Sequence, residues 1–217
     1  MFKKSTPIRA TSLSRYTKWP NSLPAAEDKM SNKYPFSDII LNLSDNFDDL
    51  LESLSTLQRL GELPAHRLTE QVLLENALEI LHHSIKATRC CIYTLPPQEL
   101  TLLENAPLGS VLAIDCEGIP KQCNATRIED MFIRTTLEKG TMQDCDDCTT
   151  LDLGSDLLEN ETSIISVPLM VTEQLCGVIT TSHSGRQHFN AWGYRLVELF
   201  STFLGQQLAL CRCQNQA

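Results

Sequence analysis

No apolar run in the 217-residue chain approaches the roughly 18 residues that a membrane-spanning helix needs, so no span is expected. The first residues hold no apolar stretch of the signal-peptide kind, which argues against export by that route. Acidic side chains are missing from Met1 to Ala26. Residues 1–35 also lack any hydrophobic period and are rich in Ser, Thr, Pro, Lys and Arg, so they are expected to form a disordered basic tail. Transit peptides share that acid-free composition, but the amphipathic helix they carry is not evident here. Familiar catalytic patterns are missing too. There is no Ser-His-Asp arrangement, no glycine-rich phosphate loop and no His-Glu-x-x-His, and catalysis is not the expectation.

What is present describes a globular protein. Hydrophobic residues make up 42% and charged residues 21%, the balance of a folded domain. The length allows one domain of ordinary size plus accessory segments. Residues 1–33 carry seven basic side chains against only Glu27 and Asp28, while the whole chain has a net charge of −9. The body is therefore strongly acidic and repels nucleic-acid phosphates. Nine cysteines are an odd number for a disulfide framework. Cys90, Cys91 and Cys176 sit inside apolar runs and read as small core residues in a reducing, cytoplasmic compartment.

Phe47, Leu50, Leu54 and Leu57 repeat at helical spacing, with Leu51 and Leu60 widening the stripe. Asp45, Asp48, Asp49 and Glu52 load its first turns with negative charge, which suits a helix N-terminus. Gly61 and Pro64 end it, giving an N-terminal amphipathic helix over 44–61. A second helix is expected over 66–86, with Leu73, Ala77, Ile80 and Leu81 on its apolar face. Its adjacent His82 and His83 point about 100° apart and cannot easily share one metal. Arg89 to Leu95 reads as a strand closed by Pro96 and Pro97, with Glu99 to Asn105 as a possible hairpin return. Ser110 to Asp115 reads as another strand. A short helix over 129–139 stops at Gly140. Ser163 to Met170 and Gln174 to Thr181 form an antiparallel pair joined by a tight turn, and a helix closes the chain over 191–210. Strands in the middle with helices around them give an α+β fold, with a central antiparallel sheet of five to six strands.

Three segments carry a resemblance. Met131 to Asp144 (MFIRTTLEKGTMQD), Ser163 to Gly177 (SIISVPLMVTEQLCG) and Phe189 to Ala209 are similar, in order and distance, to three parts of the GAF domain family: a short helix ending at a Gly before a strand that leads to an Asp, the paired strands, and the closing helix. Pro168 lacks an N–H and belongs at a strand edge or bulge. Gly177 permits a close backbone approach. The resemblance covers about 67–213. It implies a sheet packed by helices on one face and roofed by loops on the other, around a small-molecule site, in a sensor domain of a kind that often dimerises.

Within that layout Cys145 and Cys148 border the expected pocket and, with His183, are the candidate ligand-binding residues. Leu175 to His183 and Phe203 to Gln206 resemble the phytochrome version of the family, in which a histidine at the place of His183 lies by a bilin; the Cys-His attachment pair is absent. Cys-x-x-Cys can grip one tetrahedral ion, and Cys116 with Cys123 could complete four sulfur ligands. The same thiols could instead form a redox switch or be ordinary loop cysteines. The expected function is a stand-alone regulatory protein that takes a small ligand or redox signal and relays it through its terminal helices to a signalling partner, as a homodimer. The ligand is not identified by the sequence. The alternatives are a thiol reductase of the free methionine sulfoxide reductase type, which lacks its Gly-His-x-x-Cys-Asp stretch here, and a dimerisation module with a vestigial pocket.

Overall fold

The structure is a computed structural model that describes residues 36–95, 110–115, 117–151, 162–171 and 174–215, with side chains from Ser44 to Cys213 apart from Asp45. The expectations for the basic tail, for the Glu99–Asn105 hairpin and for Cys116 lie outside those residues.

The body from Leu41 onward forms one compact unit. Helix α1 spans Phe36–Gly61 and starts before the apolar repeat does. A 3-10 turn, Ala65–Arg67, leads to α2, Glu70–Ile85. The Thr69 side chain caps α2 by accepting from the Val72 N–H, which moves its start inward from the expected 66. Strands β1 (Arg89–Thr94), β2 (Val111–Ile114) and β3 (Lys121–Cys123) follow, then α3 (Arg127–Lys139). Helix α3 is closed at both ends by local chemistry. Thr126 and Glu129 form a reciprocal capping box, and Gly140 ends it at a φ of 61°. Strand β4 (Gln143–Cys145), a 3-10 turn (Cys148–Thr150), β5 (Ser163–Val171), β6 (Gln174–His183) and α4 (Ala191–Asn215) complete the chain.

Among the described residues the six strands pair antiparallel in the order β3-β2-β1-β6-β5-β4. This is the α+β architecture expected from the pattern, with two short strands, β3 and β4, at its edges. They carry too few apolar residues to be read as strands alone. Because side chains alternate along a strand, the sheet sorts its residues onto two faces. One face sends Cys90, Ile92, Leu112, Ile114, Ile165, Val167, Leu169 and Ile179 against α2 and α4, and this is the main core. The other sends Cys91, Tyr93, Val111, Ala113 and Val178 towards Ile133 of α3.

Two glycines are required by close approach. A Cβ on Gly177 would lie 2.1 Å from the Tyr93 carbonyl oxygen of the neighbouring strand. One on Gly205 would lie 1.9 Å from the Met170 carbonyl oxygen, which is how closely α4 rides on β5. Pro168 sits on β5 beyond the last β4 partner, Ser166, and beside a bulge at Leu169/Met170, where its missing N–H breaks no ladder bond to β4.

Candidate functional site

Helix α3 covers its sheet face with Ile128, Glu129, Phe132, Ile133 and Thr136. The floor beneath has three kinds of chemistry. At one end Tyr93, Val111 and Val178 pack with Ile133 and Leu137 as an ordinary apolar cluster. In the middle, where a buried strand pair would normally hold Val or Ile, the chain places hydroxyls. The Thr136 hydroxyl donates to Ser166 Oγ at 2.8 Å, and Ser166 Oγ lies 3.3 Å from Thr180 Oγ1. All three residues are buried, and Thr180 stands directly opposite Cys91 in the ladder.

At the other end is a charged group. Arg89 Nε donates to Glu129 Oε1 at 2.7 Å, and Glu129 is only 1% exposed. Burial opposes the Arg89 charge, but the carboxylate of Glu129 outweighs it and raises the guanidinium pKa above its usual range. Arg89 Nη2 also donates to Cys123 Sγ at 3.1 Å. Ser182 pairs with Arg89 across the strands, and its buried hydroxyl finds no partner among the described residues. Such a hydroxyl is a costly thing to bury unless something satisfies it.

Cys145 and Cys148 lie at the β4 edge of this face. Cys148 is fully buried with Ile128, Phe132 and Ile164, and half-buried Cys145 packs on the same cluster. The two aspartates between them are held from another part of the chain. The Asp146 carbonyl accepts from the Gln187 N–H at 2.8 Å, and its carboxylate accepts from the Tyr194 hydroxyl on α4. Asp147 pairs with Arg186 at 3.5 Å, and its carboxyl pKa lies below the usual range, first because the Thr149 hydroxyl bonds to it. Thr162 bridges the same two segments, accepting from Cys148 N at 2.7 Å and donating its own N–H to the His183 carbonyl at 2.8 Å. The Cys145–Cys148 segment is thus tied directly to Arg186 and Gln187 in the turn and to Tyr194 on α4, and through Thr162 to the end of β6.

His183 ends β6. Its Nδ1 accepts from the Gly185 N–H at 2.8 Å, and its ring stacks on His188 with centroids 3.4 Å apart. Burial, then the neighbouring His188, lowers its pKa.

The structure brings Cys145 and Cys148 into one cluster and places His183 at the end of β6, linked to Cys148 through Thr162. It does not bring Cys123 to Cys145. They occupy the two opposite edge strands, β3 and β4. Five strand spacings of about 4.8 Å put roughly 24 Å of sheet between them. Of the expected four-thiol set of Cys116, Cys123, Cys145 and Cys148, Cys123 is therefore apart from Cys145 and Cys148, and Cys116 lies outside the described residues. Among the described residues no group of three His, Cys, Asp or Glu side chains is placed to hold a metal. Sequence reasoning passed over the hydroxyl row, the Arg89–Glu129 pair and the Asp146 clamp. The run Thr180-Thr181-Ser182 inside an otherwise apolar strand was the signal for the first.

The family model of the GAF domain matches residues 69–210. The chain belongs to the GAF domain family. Solved GAF structures share its shape. The GAF domain of an Acinetobacter phosphoenolpyruvate-protein phosphotransferase is 12% identical with a TM-score of 0.53, covering 76% of this chain and 94% of that one. The phycoerythrobilin-bound GAF domain of a cyanobacterial phytochrome is 15% identical at a TM-score of 0.56, covering 76% and 98%. Free methionine-R-sulfoxide reductase from Neisseria meningitidis, solved with its substrate, is 12% identical at 0.55, covering 74% and 90%. At such identities the likeness is one of fold. A comparison with curated protein sequences gives no match. No described helix is long and apolar enough to cross a membrane.

Proposed function

We propose that this GAF protein is a regulatory sensor whose signal enters under α3, at the Cys145–Cys148 segment, and leaves through the terminal helices α1 and α4. The observation that carries the reading is the clamp of Asp146 and Asp147 onto Gln187, Tyr194 and Arg186. Any change that moves the two cysteines pulls on the first turns of α4. A small ligand satisfying Ser182 and the hydroxyl row, or oxidation of Cys145 and Cys148, would do so, with His183 as a further contact. The chain's nine cysteines suit a cytoplasmic setting.

The output is a helix surface. Phe47, Leu51 and Leu54 stand 58%, 48% and 54% exposed on α1, and Phe203 and Leu210 are exposed on α4. Stripes of this kind suit a second copy of the chain or a signalling partner. The reading extends to a homodimer.

Trp192 lies in the first turn of α4 and donates from its ring N–H to Asn46 of α1 at 3.1 Å, so its emission reports that joint. In a Trp19→Phe background, peroxide should shift Trp192 emission, and Cys145→Ser with Cys148→Ser should abolish the shift. Emission that stays constant, or that still shifts in the double variant, contradicts the redox form of the proposal.

A second reading rests on the two thiols sharing one cluster beside α3. It makes the protein a thiol reductase of free methionine sulfoxide. Turnover of that substrate with a dithiol reductant, lost in Cys145→Ser, would favour it over the sensor.

A further inference from the structure

A cleft of about 180 Å³ opens where α1, the end of α2 and the start of α4 meet. Buried Phe189 and Leu196 line it, and half-buried Trp192 adds an aromatic wall. Charges of both signs border the same space: Asp49 and Glu52 from α1, and Lys86 from the residue after α2. At 100° per residue, Asp49 and Glu52 lie on the side of α1 away from Phe47, Leu51 and Leu54. The cleft and the exposed apolar stripe are therefore different surfaces.

The opposite charges do not meet. Among the described residues no ion pair joins Lys86 to Asp49 or to Glu52, although all three border so small a space. The other polar groups are already engaged. Ser53 and Ser84 spend their hydroxyl protons on the carbonyls of Asp49 and Ile80, at 2.8 and 2.9 Å. The His188 ring is stacked on His183. Asp49 Oδ2 accepts from Asn190 Nδ2 at 3.0 Å, which holds that carboxylate at the joint of α1 and α4. Lys86 adds a backbone observation. Its φ is 51°, a left-handed cap position that glycine or asparagine fills at less cost. The chain places a cation at the rim where the turn itself prefers a different residue.

We propose that this cleft binds a small zwitterion, an ammonium and a carboxylate on one short carbon skeleton, the chemistry of a free amino acid. The carboxylate meets Lys86 and the ammonium meets Glu52 and Asp49, so each charge that binding dehydrates gains a counter-charge. The carbon skeleton between them lies against Phe189, Leu196 and Trp192. An ion of one sign would satisfy one side of the cleft and face its own sign on the other. Sites for drug-sized molecules run from roughly 300 to 1,000 Å³, so a single amino acid is the scale that fits. The site uses none of Cys145, Cys148, Asp146 and Asp147, so it stands or falls apart from the sensor reading.

The test uses the full, reduced chain with Trp19→Phe, in which Trp192 is the one remaining tryptophan. Its indole N–H, bonded to Asn46 at 3.1 Å, gives the NMR signal to follow. The probes are L-leucine and 4-aminobutanoate, which hold their charges at a short and a longer separation. Each has one-charge counterparts: 4-methylpentanoate and 3-methylbutylamine for leucine, butanoate and propylamine for 4-aminobutanoate. The expected result is a saturable shift with at least one zwitterion, at a midpoint below about 10 mM, and binding at least about tenfold weaker for both its counterparts. Lys86→Gln and Glu52→Gln should each weaken the zwitterion about tenfold, the scale of one charge-assisted hydrogen bond. Lys86→Gln should also erase its advantage over the amine. Both side chains are exposed, and an unaltered denaturation midpoint shows that each variant folds; the counterpart comparison needs no variant. Cys145→Ser with Cys148→Ser should leave binding intact. The proposal is overturned if neither zwitterion gives a saturable shift, or if a one-charge counterpart binds as tightly. It is also overturned if the folded Lys86 and Glu52 variants keep full affinity, or if the double serine variant loses binding.

Discussion

Two histidines set how the protein answers acid. His82 has its Nε2 buried without a partner among the described residues, and its pKa is lowered, first by burial and then by His83. His183 is lowered by burial and by His188. Both are held neutral in the fold while the unfolded chain keeps the ordinary value near 6.5. The unfolded state therefore binds more protons below that value, so stability is full above it and falls as the pH drops through it. Denaturant midpoints measured from pH 8 down to 5 should decline, and His183→Gln should flatten part of the decline. A midpoint that rises on acidification would contradict this assignment.

Single atoms decide packing as well. Gly205→Ala would place a methyl 1.9 Å from a backbone carbonyl, which no side-chain rotation relieves. A loss of about 1–3 kcal/mol is expected, as for other overpacked core sites, read from chemical denaturation. At the far end of the α3 face, Glu129→Ala would strand the Arg89 guanidinium and break the α3 capping box together. About 3–5 kcal/mol is expected for breaking a buried pair, so this variant should be the more damaging of the two.

Among the elements, legibility followed burial. Helices α2 and α3 and strands β1, β2, β5 and β6 have one strongly apolar face or run, and the pattern of the chain declared them. Strand β3 was not declared and β4 was marked only by the family resemblance, because Lys121-Gln122-Cys123 and Gln143-Asp144-Cys145 gain their conformation from a neighbour's ladder rather than from their own residues. The same gap misdirected the site. Without the strand order, two cysteine pairs in loop-like segments looked free to meet; the sheet puts Cys123 and Cys145 on opposite edges. The Arg89–Glu129 pair, 40 residues apart, and the Asp146 contact to α4 leave no mark in local spacing. The Cys145–Cys148 pair was visible because its spacing is local, and the close approach at Gly177 because a glycine inside a strand run signals one by itself. Breaking the clamp tests its role at this scale. Tyr194→Phe should leave the melting temperature within a few degrees, since a partly exposed hydrogen bond contributes about 1 kcal/mol, yet it should diminish the Trp192 response to peroxide.

For the whole molecule, the exposed stripes on α1 and α4 bear on assembly. Light scattering at tens of micromolar should give the mass of a dimer, and Leu51→Glu with Leu54→Glu should return a monomer with unchanged helix content. A monomer from the unaltered chain would leave those stripes to a different partner.

The central claim is that the Cys145–Cys148 segment and the start of α4 move together. Amide hydrogen exchange over the first two turns of α4 tests it most directly, comparing reduced and peroxide-treated protein. The account predicts faster exchange from Trp192 to Val197 after oxidation, and no such change when Cys145 and Cys148 are both serine. Equal protection of those turns in the reduced and oxidised protein would contradict it.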